Sequence, residues 1–351
     1  MSKPQLFENT RDQDAAALAT YAVPTYLLPW PVTLHPDHAH AEGRTLAWAR
    51  RWDLLTSDAA RQRITDIRPA LFAAWFCPRT DRQGVALKAK WAIWLWLWDD
   101  LFDDGPLGRD PTAFHSAALQ LEHALTDPPP PPNDPQLTLP LARALADLWG
   151  DLSDYFPPTC RSRFPDNTRE YLGAMAEETA NRSAETLPTL DEYLRLRVMN
   201  AATRPSIDVI EGLQQADIPD ELHRGLYGEL RDMHAELWTW SNDAYTVRKD
   251  LHYRNPHNLV LVLRHVRNLS LQEAADQAAR MVEQRVRDCV RVADRLRRLT
   301  DTPGTPHAQH KEQILRGIRV LEDASAGYFR WQETTVRYKR TSGFITPPPR
   351  T

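Results

Sequence analysis

Residues 91–104 read Trp91-Ala-Ile-Trp94-Leu-Trp96-Leu-Trp98-Asp99-Asp100-Leu-Phe-Asp103-Asp104, and Gly105-Pro106 follows at once. An apolar, tryptophan-dense run thus ends in four carboxylates, and Gly-Pro is a helix stop. Asp99 and Asp103 stand at i,i+4 and Asp100 and Asp103 at i,i+3, spacings that put side chains on one helical face. Carboxylates so placed repel unless a positive charge lies among them. A helix C-terminus also disfavours anions, which again calls for a cation. Hard oxygen donors suit Mg²⁺, which takes one or two carboxylates together with water and phosphate oxygens. The stretch therefore predicts a helix from Gly84 to Asp103 with an apolar wall along its approach and a metal platform at its end. A solvated acidic cap is the alternative reading of the same residues.

The chain has 351 residues, 42% of them hydrophobic, enough for one large or two ordinary domains. A formal net charge of −4 gives no nucleic-acid footprint. Cys77, Cys160 and Cys289 have no metal-ligand spacing and read as reduced thiols of a cytoplasmic protein. The opening MSKPQLFENTRDQD lacks the apolar core of a signal peptide, and no apolar run reaches the ~18 residues of a membrane span. Twelve tryptophans point either to a tryptophan-rich core or to a pocket lined with π faces.

Outward from the central stretch the pattern is helical throughout. Residues 1–20 read as a polar, mobile segment, and Tyr21–Pro36, rich in proline, as an extended segment over the core. Helical periodicity begins near His40. A helix capped by Ser57 carries Ile64, Ile67, Leu71, Ala74 and Trp75 as far as Phe76-Cys77-Pro78. Pro111 starts another, and the proline run 128–132 reads as a surface linker within one domain. Amphipathic helices follow over 137–155, 162–182, 220–250, 271–298 and 308–336, and Thr189-x-x-Glu192 has the form of a capping box. Residues 339–351 read as a disordered tail. Sustained strand alternation and Gly-rich phosphate loops are absent. The fold class is all-α, a single helical domain over 21–338 around an apolar cavity.

A second constellation is Asn242-Asp243-Ala-Tyr-Thr246-Val-Arg-Lys249-Asp250. Asn242, Thr246 and Asp250 stand at i, i+4 and i+8, and eight residues rotate a helix by only about 80° net. An amide oxygen, a hydroxyl and a carboxylate thus point one way, all hard donors suited to Mg²⁺. The patch interrupts apolar sequence on both sides, which places it at a buried or cavity-facing position where unpaired polar groups are costly.

Asp99-Asp100-x-x-Asp103 together with Asn242-Asp243-x-x-Thr246-x-x-Lys249-Asp250 resembles the bacterial class I terpene cyclases, the sesquiterpene synthases in particular. Leu27-Leu-Pro-Trp-Pro, Arg44-Thr-Leu-Ala-Trp48 and the pair Arg337-Tyr338 are similar to that family's terminal segments, so the likeness runs over about residues 20–340. The resemblance implies three Mg²⁺ ions. Asp99 would ligate two of them with support from Asp100 and Asp103, and Asn242, Thr246 and Asp250 would hold the third. It implies that Lys249, Arg337, Tyr338 and Arg197 contact the diphosphate of a linear prenyl diphosphate. Asn200 and Ala201 would fall at a helix break that triggers ionisation. Asp250 stands where glutamate is usual and Ala201 where glycine is common, and there is no second DDxxD of the kind chain-elongating prenyltransferases carry.

The implied activity is Mg²⁺-dependent ionisation and cyclisation, with farnesyl diphosphate the leading substrate and geranyl or geranylgeranyl diphosphate the alternatives. The protein would be a monomer or homodimer with no nucleic-acid partner and no membrane span. A helical protein that binds metal or prenyl diphosphate without turning it over is the alternative of another class. Trp96, three residues before Asp99, and Trp331 are the preferred cavity walls, with Trp75, Phe76 and Trp238 as further candidates. The segment around Arg337 and Tyr338 is expected to become ordered only when diphosphate and Mg²⁺ are bound.

Overall fold

The computed structural model describes residues 11–103, 105, 107–184 and 188–339. These form sixteen α-helices and no strand. In chain order they are α1 (Arg11–Thr20), α2 (His38–Arg51), α3 (Asp58–Ile67), α4 (Pro69–Phe76), α5 (Arg82–Asp103), α6 (Pro111–Ala124), α7 (Pro140–Tyr155) and α8 (Pro158–Ser183). Then follow α9 (Leu190–Asn200), α10 (Thr203–Leu213), α11 (Asp220–His223), α12 (Leu226–Tyr253), α13 (Leu259–Val266), α14 (Leu271–Thr300), α15 (Pro306–Gln309) and α16 (Lys311–Thr334). Short 3₁₀ turns span Leu107–Arg109 and Arg337–Lys339.

Helix α5 is the centre of the bundle, packed against α2, α4 and α7. Nearly every side chain from Gly84 to Trp98 is buried, as an all-round apolar helix requires. Its indoles divide into two sets. Trp91, Trp94 and Trp98 are fully enclosed, and each N–H has a partner: Ser206 Oγ at 3.0 Å, the Leu141 carbonyl at 2.8 Å and Met175 Sδ at 3.2 Å. These three are core, and α7 and α8 close over them. Trp96 faces the other way. The second long pillar, α12, is flanked by α14, α16 and α13.

Several starts follow the expected capping chemistry. Ser57 accepts from the Ala60 N–H, Asp110 from those of Thr112 and Ala113, and Thr189 with Glu192 forms the capping box that opens α9. The single helix expected from Asp58 to Trp75 is instead two. Arg68 sits at φ 59°, ψ 68°, ending α3, and α4 restarts at Pro69. The proline ring disfavours a helical conformation in the residue before it, and its missing N–H is harmless only at a helix start.

Tyr21–Pro36 carries no helix and lies over the core as anticipated. Tyr26 meets Phe329 edge-on at 5.3 Å and Trp30 lies 5.2 Å from His234. The segment before it differs from the mobile stretch read for residues 1–20. Arg11–Thr20 is helical, and Asp14 pairs with Arg264 of α13 at 2.6 Å. Residues 1–10 and 340–351 lie outside the described residues.

Candidate active site

A cleft of about 1090 Å³, counting the space open to solvent, lies between the C-terminal end of α5 and the second half of α12. Asp99, Asp100 and Asp103 line it from α5, and Asn242, Thr246, Lys249 and Asp250 from α12. Both sequence constellations therefore face one cleft. An adjoining chamber of about 820 Å³ has aromatic walls that include Phe76, Trp96, Trp238 and Trp331. The two spaces share Asp99, Arg197, Asn200, Asn242, Arg337 and Tyr338 at their junction. Trp96 and Trp331 stack with centroids 5.4 Å apart and planes 5° from parallel. Trp75 is not among the chamber's lining residues.

Cations sit among the carboxylates, as the charge argument demands. Arg337 lies 3.2 Å from Asp99 and 3.0 Å from Asp100, while Lys249 lies 3.0 Å from Asp103 and 3.8 Å from Asp100. Arg182 of α8 completes the set, 2.8 Å from Asp103 and 3.2 Å from Glu178. Burial works to raise Asp103, but Lys249 and then Arg182 hold it well below the usual carboxylate range. Asp99 is pushed up, by desolvation within the cleft first and by the charge of Asp103 second. Its side chain keeps 47% of its exposure, so it is the most open of the three.

On α12 the oxygen donors are held by neighbours. Thr246 donates to Asp250 at 2.8 Å, and Asn258 Nδ2 donates to the same carboxylate oxygen at 2.7 Å. Burial, then the charge of Asp103, pushes Asp250 up to about 7. Asn242 offers Nδ2 to the Tyr338 hydroxyl at 2.8 Å and to that of Tyr328 at 3.2 Å, while its Oδ1 accepts from Arg197 at 3.2 Å.

Arg197 is fixed chiefly by Asp243, whose Oδ1 accepts from its guanidinium at 2.8 and 3.1 Å. Burial opposes the arginine's charge, but Asp243 and Tyr193 more than offset this and raise its pKa. Asp243 also accepts from the Tyr193 hydroxyl and from the Leu259 N–H at 2.7 Å. The sequence pattern contains Asp243 yet gives it no role, because at i+1 from Asn242 it faces away from the donor row. Its partners come from α9 and the start of α13.

A helix break falls where the resemblance implied, and the left-handed residue in it is Ala202. Helix α9 ends at Asn200, Ala201 has φ −102°, and Ala202 takes the left-handed conformation at φ 52°, ψ 25° before α10 begins. An alanine there carries a strain that glycine would not. Asn200 donates to Glu178 at 2.6 Å, and its buried Oδ1 has no hydrogen-bond partner among the described residues.

The C-terminal pair lies against both donor motifs. Arg337 is docked on the α5 carboxylates and Tyr338 on Asn242. Carboxylates at a helix end attract the guanidinium directly. Arg182 and Glu178 were not singled out from the sequence either. They lie within an ordinary amphipathic pattern, and only the packing of α8 against the end of α5 gives them their place.

Both donor sets fit a hard divalent ion. Every candidate ligand is an oxygen, both sets face the cleft, and the charge now balanced by Arg337 and Lys249 is available to metal. A third group, Asp208, Glu211 and His223, has ligand atoms within 4.8 Å of one another. Arg231 lies 2.6 Å from Asp208 and 3.0 Å from Glu211, and Arg163 about 4.0 Å from each. Two arginines cancel the two carboxylates, so this group is a buried ion network joining α8, α10, α11 and α12.

Among the described residues no helix is long and apolar enough to cross a membrane. The three cysteines are free and buried.

Comparison with known proteins agrees with this geometry. The chain is 29% identical over 316 residues to pristinol synthase of Streptomyces pristinaespiralis, covering 90% of this chain and 84% of that protein. It is 31% identical over 271 residues to a (+)-T-muurolol synthase of Roseiflexus castenholzii described as (2E,6E)-farnesyl diphosphate cyclizing, covering 76% and 78%. The structure superposes on that of wild-type cucumene synthase with a TM-score of 0.73 at 26% identity, covering 88% of this chain and all of the other. Residues 90–288, more than half of the chain and including both donor motifs, match the family described as "Terpene synthase family 2, C-terminal metal binding". With a matched metal-binding region, two oxygen-donor motifs on one cleft and an aromatic chamber behind them, the chain belongs to terpene synthase family 2.

Proposed function

We propose that this terpene synthase ionises farnesyl diphosphate and cyclises the resulting allylic cation to a sesquiterpene, releasing inorganic diphosphate. The observation that carries the reading is the junction itself: a cluster of oxygen donors and cations opens into a chamber walled by indole and phenyl faces. Three bound Mg²⁺ ions would neutralise the diphosphate and make it a competent leaving group. Asp99, with Asp100 and Asp103, would hold metal on the α5 side, and Asn242, Thr246 and Asp250 on the α12 side.

Arg197, Lys249, Arg337 and Tyr338 would contact the diphosphate oxygens. Arginine's planar donors suit phosphate, and Lys249 supplies a compact charge. Arg337 and Lys249 are already committed to carboxylates. Metal binding would release them, so diphosphate would meet guanidinium and ammonium groups freed at the same moment. Asn200 and Ala201, at the break between α9 and α10, would lie beside the reacting carbon. Trp96 and Trp331 would present π faces to the cation, each worth about 0.5–2 kcal/mol. The chamber would exclude the water that otherwise quenches it.

The (+)-T-muurolol synthase cited above, described as farnesyl diphosphate cyclizing, supports that substrate. The test is incubation with geranyl, farnesyl and geranylgeranyl diphosphate, with Mg²⁺ or with chelator, measuring diphosphate release and volatile products. The expected result is Mg²⁺-dependent release that is fastest with farnesyl diphosphate and yields a C15 product. Faster release from either other substrate would reassign the chain length. Binding without release from any of them would favour a non-catalytic role.

A further inference from the structure

One charged side chain in the chamber belongs to neither the metal motifs nor the diphosphate contacts. Lys88 is 2% exposed, and among the described residues it makes no hydrogen bond or ion pair. Its Nζ lies over the rings of Phe76 and Phe72, 4.7 and 5.2 Å from their centroids. It lines the same chamber as Trp96 and Trp331. On α5, Lys88, Ala92, Leu95, Trp96 and Asp99 form one stripe along that chamber, at i, i+4, i+7, i+8 and i+11. Eleven residues turn a helix through three revolutions plus about 20° and advance it about 16 Å. Lys88 and Asp99 therefore mark opposite ends of one wall, ammonium at the far end and carboxylate at the metal end.

The geometry points to Lys88 as a specificity-determining residue, whose ammonium keeps positive charge of the reacting hydrocarbon away from the far end of the chamber and so selects among products. This rests on the proposed cyclisation of a prenyl diphosphate. Two of the aromatic faces that could stabilise a carbocation, Phe72 and Phe76, are already taken by the ammonium. The stacked Trp96–Trp331 pair lies nearer the metal end, and the cation over Trp96, Arg337 at 5.7 Å, is one that diphosphate would draw away. In a medium of low polarity two like charges a few ångströms apart repel strongly, so skeletons that need charge beside Lys88 are disfavoured. Burial lowers the ammonium to about 8, which leaves it mostly protonated at neutral pH. The nearby Cys77 thiol is pushed up to about 12 by its own burial, so it is neutral and no counterion.

An unpaired buried charge is costly to the fold, and a neutral replacement of similar size should relieve that cost. Lys88→Met loses the charge on an unbranched chain one atom shorter, Lys88→Gln loses the charge but keeps polarity on a chain one atom shorter, and Lys88→Arg keeps charge. Each is assayed with farnesyl diphosphate and Mg²⁺, reading product ratios by mass spectrometry and Tm by thermal unfolding. The share of the main product should fall about threefold or more in Lys88→Met and Lys88→Gln, with products new to the mixture. Lys88→Arg should retain the main product, and Lys88→Met should melt higher than the parent. Wild-type product ratios in either neutral variant would overturn the charge assignment, and so would equal scrambling in Lys88→Arg and Lys88→Met, which would mark a steric role. Diphosphate release by the wild-type chain is measured alongside. Its absence would overturn the proposed function and this inference together, whereas release with an unchanged ratio in Lys88→Met overturns this inference alone.

Discussion

The Asn242 side-chain amide donates to the Tyr338 hydroxyl at 2.8 Å. Beside Tyr338, Arg337 pairs with Asp99 and Asp100. The C-terminal turn therefore bridges the two oxygen-donor motifs, one on α5 and one on α12, through side chains that the proposed reaction would turn toward diphosphate. In the proposed reaction the partners would exchange: carboxylates would pass from cations to metal, and the cations to substrate.

Removing a donor from either motif should stop that exchange. Asp99→Ala and Asn242→Ala are each expected to lower diphosphate release by about 10² or more while leaving the fold intact. Circular dichroism checks the fold and steady-state release checks the activity. Near-parental turnover in either variant at low Mg²⁺ would remove that residue from the metal site.

Arg337→Ala separates the two roles of the guanidinium. Turnover should fall by about 10² or more, as for other charge-stabilising donors. In the substrate-free protein, however, metal affinity should rise, because a competitor for Asp99 and Asp100 is gone. Calorimetric titration with Mn²⁺ or Mg²⁺ measures this. Weaker metal binding in the variant would show that Arg337 supports the carboxylates and does not compete for them.

The aromatic pair should govern products more than binding. Trp96 is 8% exposed and stacked on Trp331, so Trp96→Ala enlarges the chamber and removes a π face together. Loss of a large core side chain also costs about 3–5 kcal/mol, and Tm should fall. The expected signature is an altered product mixture with KM changed less than the product ratio. An unaltered mixture with only a lower Tm would make Trp96 a packing residue.

Metal dependence should vary with pH in a definite direction. Asp250 sits at about 7 and Asp99 is also raised, so both tend to hold protons as pH falls through neutrality. Metal needs the carboxylates ionised, so binding releases protons and affinity drops on the acid side. From pH 8 to pH 6 the Mg²⁺ concentration for half-maximal release should rise about tenfold for one such proton. A flat requirement over that range would mean that Asp250 is ionised throughout.

Much of this arrangement can be read from residue order, and the exceptions share a cause. Donor rows at i, i+4, i+8 and capping residues such as Ser57 and Thr189 are local, so they are legible without knowing what packs where. The split at Arg68 was also local, since Pro69 was in view, but the apolar pattern continued across it and masked the stop. The left-handed Ala202, the Asp243–Arg197 clamp and the position of Arg182 at the foot of α5 depend on how α8, α9, α12 and α13 meet. Lys88 is an intermediate case. It stands eleven residues before Asp99 and shares its face, but a lysine in an apolar helix reads as a surface position until the packing shows no surface there.

The most direct test of partner exchange is a crystal structure with Mg²⁺ and inorganic diphosphate. Metal should be ligated by Asp99 on one side and by Asn242, Thr246 and Asp250 on the other, with Arg337 moved from Asp100 to a diphosphate oxygen. Diphosphate bound while Arg337 stays on Asp99 and Asp100, or metal bound without contact to Asp250, would contradict it.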